Sequence, residues 1–227
     1  MGLYKRYRQD RLHLVEDQWL SWAKKLQAIA STGLHFAESD YDKERYVEIA
    51  EIAEVMLASL GRVPISEIRG LFPDFGKGYA TPQVDVRGAL LRGPQVLLVR
   101  ERTDGLWTLP GGYADLGLSA AENVVKEVRE EAGLIVAAQA IYGVRHKAKH
   151  EYRPDVRDFY KFFFLCEETG GNGQGVLPHP QAGAETLDAD FFSLSSLPPL
   201  STGRVVEKDI HAALEFVANG GGAPFFD

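Results

Sequence analysis

The stretch from Trp107 to Leu134 constrains this chain more than any other, because it places three glutamates after a double glycine. Glu127, Glu130 and Glu131 are spaced i, i+3 and i+4, so on a helix their side chains share one strip of surface. Each like-charge pair of this kind weakens an isolated helix by roughly 0.2 to 0.5 kcal/mol. Hard divalent cations bound through oxygen would remove that cost. The alternative is a solvated acidic face with no ligand.

The residues around these glutamates predict a loop, a helix and a strand in that order. Gly111 and Gly112 allow the backbone to approach a ligand closely. Ser119 and Glu122 form a capping box that begins a helix near Ala120. The apolar stripe that docks this helix consists of Val124, Val125 and Val128. Gly133 ends the helix, and a strand begins with Leu134, Ile135 and Val136.

This segment resembles the Nudix box, whose pattern is G-x5-E-x7-R-E-U-x-E-E-x-G-U with U aliphatic. The agreeing positions are Gly112, Glu127, Val128, Glu130, Glu131, Gly133 and Leu134. Leu118 stands at the first glutamate position and cannot replace a carboxylate. Lys126 stands at the arginine position and lacks the planar fork of arginine. Asp115 is the only acid between Gly112 and the helix, so we hypothesise that it takes over part of the missing glutamate's role; the alternative is a plain loop aspartate.

The resemblance implies a metal-dependent hydrolytic site. It implies that Mg²⁺ or Mn²⁺ is held by Glu127, Glu130, Glu131 and the backbone carbonyl of Gly111, and that water attacks a phosphorus atom. Glu131 is the expected central ligand, and Glu130 or a carboxylate outside the box is the expected general base. Glu185 resembles such an outside position, against the alternative of a surface glutamate after a flexible loop.

Several cations are candidates for binding the phosphates of a substrate. Arg87 and Arg102 flank the strands before the box, and arginine donates two parallel hydrogen bonds to phosphate. Arg145 and Lys147 follow the box helix and would share one face of a strand. The alternative for each is an exposed basic rim that balances nearby acids.

Composition fits a soluble cytoplasmic enzyme. The chain has 227 residues, of which 45% are apolar, and a formal net charge of −7, which disfavours general nucleic-acid binding. Its single cysteine, Cys166, excludes an intrachain disulfide and a Cys-based zinc site. No apolar run is long enough to cross a membrane, and MGLYKRYRQD lacks the apolar core of a signal peptide.

The periodicity of apolar residues changes along the chain. It is helical through residues 1–70, glycine and proline are frequent in a linker over 71–80, and strand periods dominate residues 81–227. The sequence therefore predicts an α+β protein, in which a small all-α N-terminal domain precedes an α/β/α sandwich with a mixed sheet. Two amphipathic helices cannot bury both their faces alone, so they must pack on the following domain or on a second chain, and we predict a homodimer. Trp19 and Trp22 are either core residues or a stacking platform for a nucleobase.

This two-domain organisation resembles the Nudix hydrolases that act on CDP-choline and ADP-ribose. The segments that carry this resemblance are YATPQVDVRGALL and ETLDADFFSLSSLPPLS. It implies a pyrophosphohydrolase of a small nucleoside diphosphate derivative. Two other functions remain open: an RNA-processing enzyme, favoured by the basic cluster Lys5, Arg6, Arg8 and Arg11, and a non-catalytic nucleotide sensor. Nucleobase, leaving group, number of ions and the effect of Leu118 and Lys126 are not determined by the sequence.

Overall fold

The structure is a computed structural model, and it describes residues 16–169 and 178–227. Three predicted features lie outside the described residues. They are the basic cluster at Lys5 to Arg11, the apolar residues Leu12 and Leu14, and the glycine-rich segment Gly170 to Gly175. The described chain divides into two compact units. One contains the described part of Met1–Gln83 together with Ala148–Phe159, and the other contains Val84–Lys147 and Tyr160–Asp227.

The first unit is helical. Its helices are α1 (Gln18–Phe36), α2 (Asp40–Gly61) and the short α3 (Ile65–Gly70). Asp17 and Ser39 begin α1 and α2 as side-chain caps: Asp17 accepts from the Trp19 amide, and Ser39 accepts from the Asp42 amide. Such caps satisfy amides that the first turn of a helix leaves unpaired. The local signals in the sequence therefore account for where both long helices begin.

Small and aliphatic side chains form the core of the helical unit. Leu20 and Ala23 of α1 pack with Leu57 and Ala58 of α2 and with Ile68 of α3. The two helices come close where Gly33 faces the Tyr46 ring, because a Cβ at Gly33 would overlap that ring. Many larger apolar side chains of this unit are exposed instead, among them Trp19, Trp22, Ile29, Phe36, Tyr41, Val47, Ile52 and Val55.

The second unit contains a six-stranded sheet. Its strands are β1 (Gln83–Arg92), β2 (Gln95–Glu101), β3 (Trp107–Thr108), β4 (Val136–His146), β5 (Phe159–Glu168) and β6 (Thr186–Ser193). The order is β3-β2-β1-β5-β4, and β6 pairs with β2. The hairpin pairs β1–β2 and β4–β5 are antiparallel, as is β2–β6. The first residues of β6 pair with the end of β2, Asp188 with Arg100 and Thr186 with Glu101.

Helices α4 (Ala120–Ala132) and α5 (Glu207–Ala218) cover the sheet. Val124 and Val128 of α4 enter a core cluster with sheet residues that include Ile141. The neighbouring Tyr142 points to the opposite face, where its hydroxyl donates to the Asp209 carbonyl of α5 at 3.1 Å. This arrangement, with a helical region before a mixed sheet, confirms the predicted α+β class. In the described part of the chain no helix is long and apolar enough to span a bilayer.

Candidate active site

Helix α4 carries the three glutamates and is fixed at both ends. Ser119 accepts from the Glu122 amide at 3.2 Å, and Glu122 accepts from the Ser119 amide at 2.7 Å. Gly133 ends the helix with φ 67°, a left-handed conformation that glycine adopts at low cost. The predicted capping box and helix end are both present, so the glutamates hold a defined register.

The double-glycine loop is held against β1 by backbone hydrogen bonds. Val86 donates to the Gly112 carbonyl and Gly88 donates to the Pro110 carbonyl, both at 2.9 Å. Gly111 lies between these carbonyls with φ 144°, and a Cβ there would lie 2.9 Å from the Arg87 Cα. Only glycine fits so close to the strand. The loop therefore presents its backbone to the face of α4 at a fixed distance.

Glu131 connects α4 to this loop. Its side chain is 5% exposed, and its Oε2 accepts a hydrogen bond from the Gly111 amide at 2.8 Å. Burial raises the pKa of Glu131 to about 8, and Glu101 and Glu127 add to the rise, while Arg87 and the Gly111 hydrogen bond oppose it. A cation bound beside this carboxyl group would stabilise its charged form, which burial disfavours.

Glu127 and Glu130 differ in their surroundings. Glu127 lies against the loop, since a Cβ at Gly112 would come 3.2 Å from its Oε1, and burial raises its pKa. Glu130 is half-exposed and pairs with Lys126 at 3.2 Å and with Arg129 at 3.7 Å. Two of the three box glutamates therefore flank the glycines, and the third is directed to neighbouring cations.

Lys126, at the arginine position of the box, connects two carboxylates. Its Nζ lies 2.9 Å from Asp115 Oδ2 and 3.2 Å from Glu130 Oε2. The hydrogen bonds to Asp115 and Glu130 raise the pKa of Lys126 above its usual value. Asp115 thus contacts the box helix through Lys126. Leu118, at the first glutamate position of the box, is 41% exposed. That Asp115 takes over part of the role of the missing glutamate stays a hypothesis.

Two acids outside the box lie near the glutamates of α4. Glu101, at the end of β2, is 8% exposed and pairs with Arg204 at 3.0 Å. Glu185 is exposed immediately before β6 and lies within electrostatic range of Glu101 and Glu127. Sequence reasoning named Glu185 and missed Glu101, because Glu101 reaches the site only through the pairing of β2 with β6. The sequence feature that could have indicated Glu101 is its position at the end of an apolar strand.

The four predicted phosphate-binding cations lie in different environments. Arg87 is 3% exposed, donates to both oxygens of Asp85 at 2.9 and 2.8 Å, and donates to the Leu109 carbonyl at 3.2 Å. Arg145 lies 3.1 Å from Asp209 and stacks on a phenylalanine ring. Lys147 is 9% exposed and begins a 3₁₀ turn after β4. Arg102 is exposed and donates to two carbonyls that flank Glu185.

The donor chemistry of this site fits a hard divalent cation. Glu101, Glu127, Glu130, Glu131 and Glu185 supply carboxylate oxygens, which Mg²⁺ and Mn²⁺ prefer. The raised pKa values of Glu101, Glu127 and Glu131 reflect buried carboxylates in mutual repulsion. Within residues 16–169 and 178–227, however, no three His, Cys, Asp or Glu side chains converge as ligands of one ion. In this arrangement Glu131 accepts from the Gly111 amide, and Glu130 pairs with Lys126 and Arg129.

Comparison with known proteins identifies two matching segments. The family described as "NUDIX domain" matches residues 82–214, and the family described as "UDP-X-like, N-terminal oligomerisation domain" matches residues 17–72. Among similar proteins, "Putative ADP-ribose pyrophosphatase YjhB" of Bacillus subtilis (strain 168) is 39% identical over 213 residues, which cover 94% of this chain and 99% of that protein. The ADP-ribose pyrophosphatase of Methanocaldococcus jannaschii is 30% identical over 126 residues, covering 54% of this chain and 69% of that protein.

Two solved structures are also similar. An ADP-ribose pyrophosphatase from Streptococcus suis 89-1591 is 39% identical, with a TM-score of 0.56, and the match covers 65% of this chain and all (100%) of that one. A UDP-X diphosphatase is 27% identical with a TM-score of 0.57, and the match covers 92% of this chain and 98% of that one. The second match extends over the helical region as well as the sheet.

Proposed function

The chain belongs to the Nudix hydrolase family, and from this premise we propose that it is a metal-dependent pyrophosphohydrolase of a small nucleoside diphosphate derivative. One observation carries the proposal above all. Glu131 is buried beside Gly111 and within electrostatic range of Glu127 and Glu101, so the site gathers carboxylates whose charged forms a bound divalent cation would stabilise. A diphosphate bound through such cations is the substrate class that this charge pattern serves.

Glu127, Glu130, Glu131 and the Gly111 carbonyl would hold Mg²⁺ or Mn²⁺ in this proposal. When bound, such an ion neutralises the diphosphate and lowers the pKa of a coordinated water. The chain itself supplies the placement. The backbone hydrogen bonds of Val86 and Gly88 fix the glycine loop, and the Gly111 amide orients Glu131.

Glu185 and Glu130 are the proposed candidates for accepting the proton of the attacking water. Glu185 is exposed, lies within electrostatic range of Glu127 and Glu101, and comes from outside the helix α4 that carries the proposed metal ligands. A base from outside α4 can approach water without giving up a metal bond. Glu130 would first have to leave Lys126 and Arg129. These surroundings favour Glu185.

ADP-ribose is the first proposed substrate. Both the Bacillus subtilis relative, which spans 94% of this chain, and the Streptococcus suis structure carry the name ADP-ribose pyrophosphatase. A UDP-linked diphosphate is the second candidate, because the similar UDP-X diphosphatase covers 92% of this chain and the N-terminal segment matches a UDP-X-like family. Both share the diphosphate that the carboxylate site would bind.

The test is hydrolysis of a substrate panel with Mg²⁺ and with Mn²⁺. The panel contains ADP-ribose, a UDP-sugar, CDP-choline and 5′-triphosphorylated RNA. We expect cleavage of a small nucleoside diphosphate derivative at the diphosphate, and no cleavage after chelation of the metal with EDTA. Preferred cleavage of the RNA would instead identify an RNA-processing enzyme. Nucleotide binding without any cleavage would identify a sensor.

Two matched variants complete this experiment. Glu131→Gln keeps the size of the side chain and removes its charge, so it should abolish metal-dependent turnover. Glu44→Gln makes the same change at an exposed position of α2 and should turn over at the wild-type rate. Wild-type turnover by Glu131→Gln would contradict the proposed metal site.

A further inference from the structure

The loop before β6 is bonded to the C-terminal end of α4. We call residues 181–186, which end with Thr186 as the first residue of β6, the latch loop. Its Gln181 amide donates to the Ala132 carbonyl at 2.9 Å. Thr186 Oγ1 donates to the Glu131 carbonyl at 2.9 Å, and the Gly183 amide donates to the same Oγ1 at 2.8 Å. The last carbonyls of a helix lack partners within the helix. The latch loop supplies those partners at the residues that carry the site.

Close packing reinforces these hydrogen bonds. A Cβ at Gly183 would overlap the Glu130 carbonyl and would lie 3.4 Å from the Glu131 Cα. Gly183 also donates to the Glu131 carbonyl at 3.3 Å. Thr186 is 1% exposed, so its hydroxyl is shielded from competing water. The backbone of the latch loop is therefore fixed against the helix turn that contains Glu130 and Glu131.

Arg102 holds the same loop from the side of β2. Its Nε donates to the Ala184 carbonyl at 3.3 Å and its Nη2 donates to the Thr186 carbonyl at 3.0 Å. These two carbonyls flank Glu185. The pairing of Glu101 with Thr186 at the ends of β2 and β6 places the loop beside a buried acid. Glu185 is thus held on both sides by backbone contacts, although its own side chain is exposed.

We propose that the latch loop, through Thr186, Gly183 and Arg102, positions the Glu185 carboxylate over the acidic site of α4 and so sets the rate of the hydrolytic step. Thr186 and Arg102 are then positioning residues that act through Glu185. Arg102 acts on the loop carbonyls instead of on the phosphates of the substrate. This role rests on the proposed hydrolase function, because Glu185 needs a reacting water to act on.

The first test compares hydroxyl variants at Thr186, using ADP-ribose and Mg²⁺. Thr186→Val keeps the shape of the side chain and removes the hydroxyl, so kcat should fall roughly tenfold to a hundredfold, the scale of a small misplacement of a reacting group. KM and the Mg²⁺ activation midpoint should stay near the wild-type values, because the box glutamates are unchanged. Thr186→Ser keeps the hydroxyl and should restore kcat. Thr169→Val removes another hydroxyl that donates to a carbonyl, that of Ile135, and should match wild type.

A double-mutant cycle tests whether Thr186 acts through Glu185. If it does, Thr186→Val combined with Glu185→Gln should be no slower than Glu185→Gln alone, because the positioned group is already lost. A combined loss equal to the product of the two single losses would overturn the proposal. So would a wild-type kcat for Thr186→Val.

Arg102→Gln separates positioning from phosphate binding. A positioning role lowers kcat and leaves KM near the wild-type value, since the substrate still binds. A raised KM with unchanged kcat would overturn the proposed role of Arg102 and return it to the phosphate-binding residues.

Amide hydrogen exchange provides a readout that does not depend on turnover. In Thr186→Val the amides of Gln181 and Gly183 should exchange faster, while those of the middle of α4 should keep their wild-type rates. Faster exchange along all of α4 would show a structural role only and would overturn the proposal. Absence of hydrolysis by the wild-type enzyme on the whole panel would overturn the proposed function itself, whatever the exchange rates.

Discussion

At the scale of single residues, Asp85 is the most consequential buried charge. It accepts from Arg87 at 2.9 and 2.8 Å and from Lys161 at 2.6 Å, and all three side chains are almost fully buried. Asp85→Asn would remove the carboxylate that both buried cations share, so the free energy of unfolding should fall by about 3 to 5 kcal/mol. Urea denaturation at neutral pH measures this. Asp115→Asn makes the same change at an exposed ion pair with Lys126 and should leave the urea midpoint of unfolding unchanged.

The pH dependence of stability follows from the same residue. Burial by itself would raise the pKa of Asp85, but Arg87 and Lys161 hold it down to about 2. The pKa of an unfolded aspartate is about 3.9, so the stabilisation is fully present above about pH 5 and is lost as the pH falls towards 2. We therefore expect the stability gap between wild type and Asp85→Asn to shrink between about pH 5 and pH 2. A gap that stays constant over that range would contradict this origin of the stability.

Residue roles were predictable from sequence where neighbours along the chain define them. Glu127 and Glu131 follow from helical spacing after two glycines, and both lie at the glycine loop. The burial of Arg87 was not predictable, because Leu109, whose carbonyl accepts from it, and Lys161, which shares its partner Asp85, lie on other segments of the chain. The residues next to an arginine in a strand do not indicate whether its side chain is exposed to solvent or buried against an aspartate. Glu101 was missed for the same reason.

At the scale of elements, Asn123 fixes the loop that leads into α4. It is fully buried, its Oδ1 accepts from the Asp115 amide at 2.8 Å, and its Nδ2 donates to the carbonyls of Asp115, Leu118 and Ser119. Asn123→Ala should lower the free energy of unfolding by about 1 to 3 kcal/mol, because the buried amide and carbonyls lose their partners. It should also speed exchange at the Asp115 amide. Chemical denaturation and hydrogen exchange measure the two effects, and an unchanged exchange rate at Asp115 would contradict the anchoring role.

The same element shows what sequence can and cannot determine. The start and end of α4 were predictable, because the capping box and Gly133 act within a few residues. The anchoring of its loop by Asn123 and of its end by Thr186 was not, since each contact joins segments whose conformation depends on packing. The box pattern explains why α4 forms, and tertiary contacts explain where its carboxylates lie.

At the scale of the whole molecule, the helical unit is more than an N-terminal extension. Residues Ala148–Phe159, between β4 and β5, group with it, and Lys24 of α1 pairs with Asp158 at 3.1 Å. Periodicity along the chain could predict the helices but not this grouping, because the segment is separated from α1 by the first half of the sheet unit. The domain boundaries 1–70, 71–80 and 81–227 stay predictions.

The exposed apolar side chains of α1 predict a homodimer. Trp19, Trp22 and Ile29 lie on one stripe of the helix and are 59%, 45% and 47% exposed. The matched family of residues 17–72 is described as an oligomerisation domain, which supports a second copy as the partner that covers them.

Burying one such side chain contributes about 1.5 to 3 kcal/mol, so replacing two should weaken association by a hundredfold or more, at roughly tenfold per 1.4 kcal/mol. Light scattering at micromolar concentration should therefore show a wild-type dimer and a monomer for the Trp22→Glu/Ile29→Glu variant. Leu187→Glu, the same kind of change at an exposed position of β6, should remain a dimer, and a wild-type monomer would contradict the prediction.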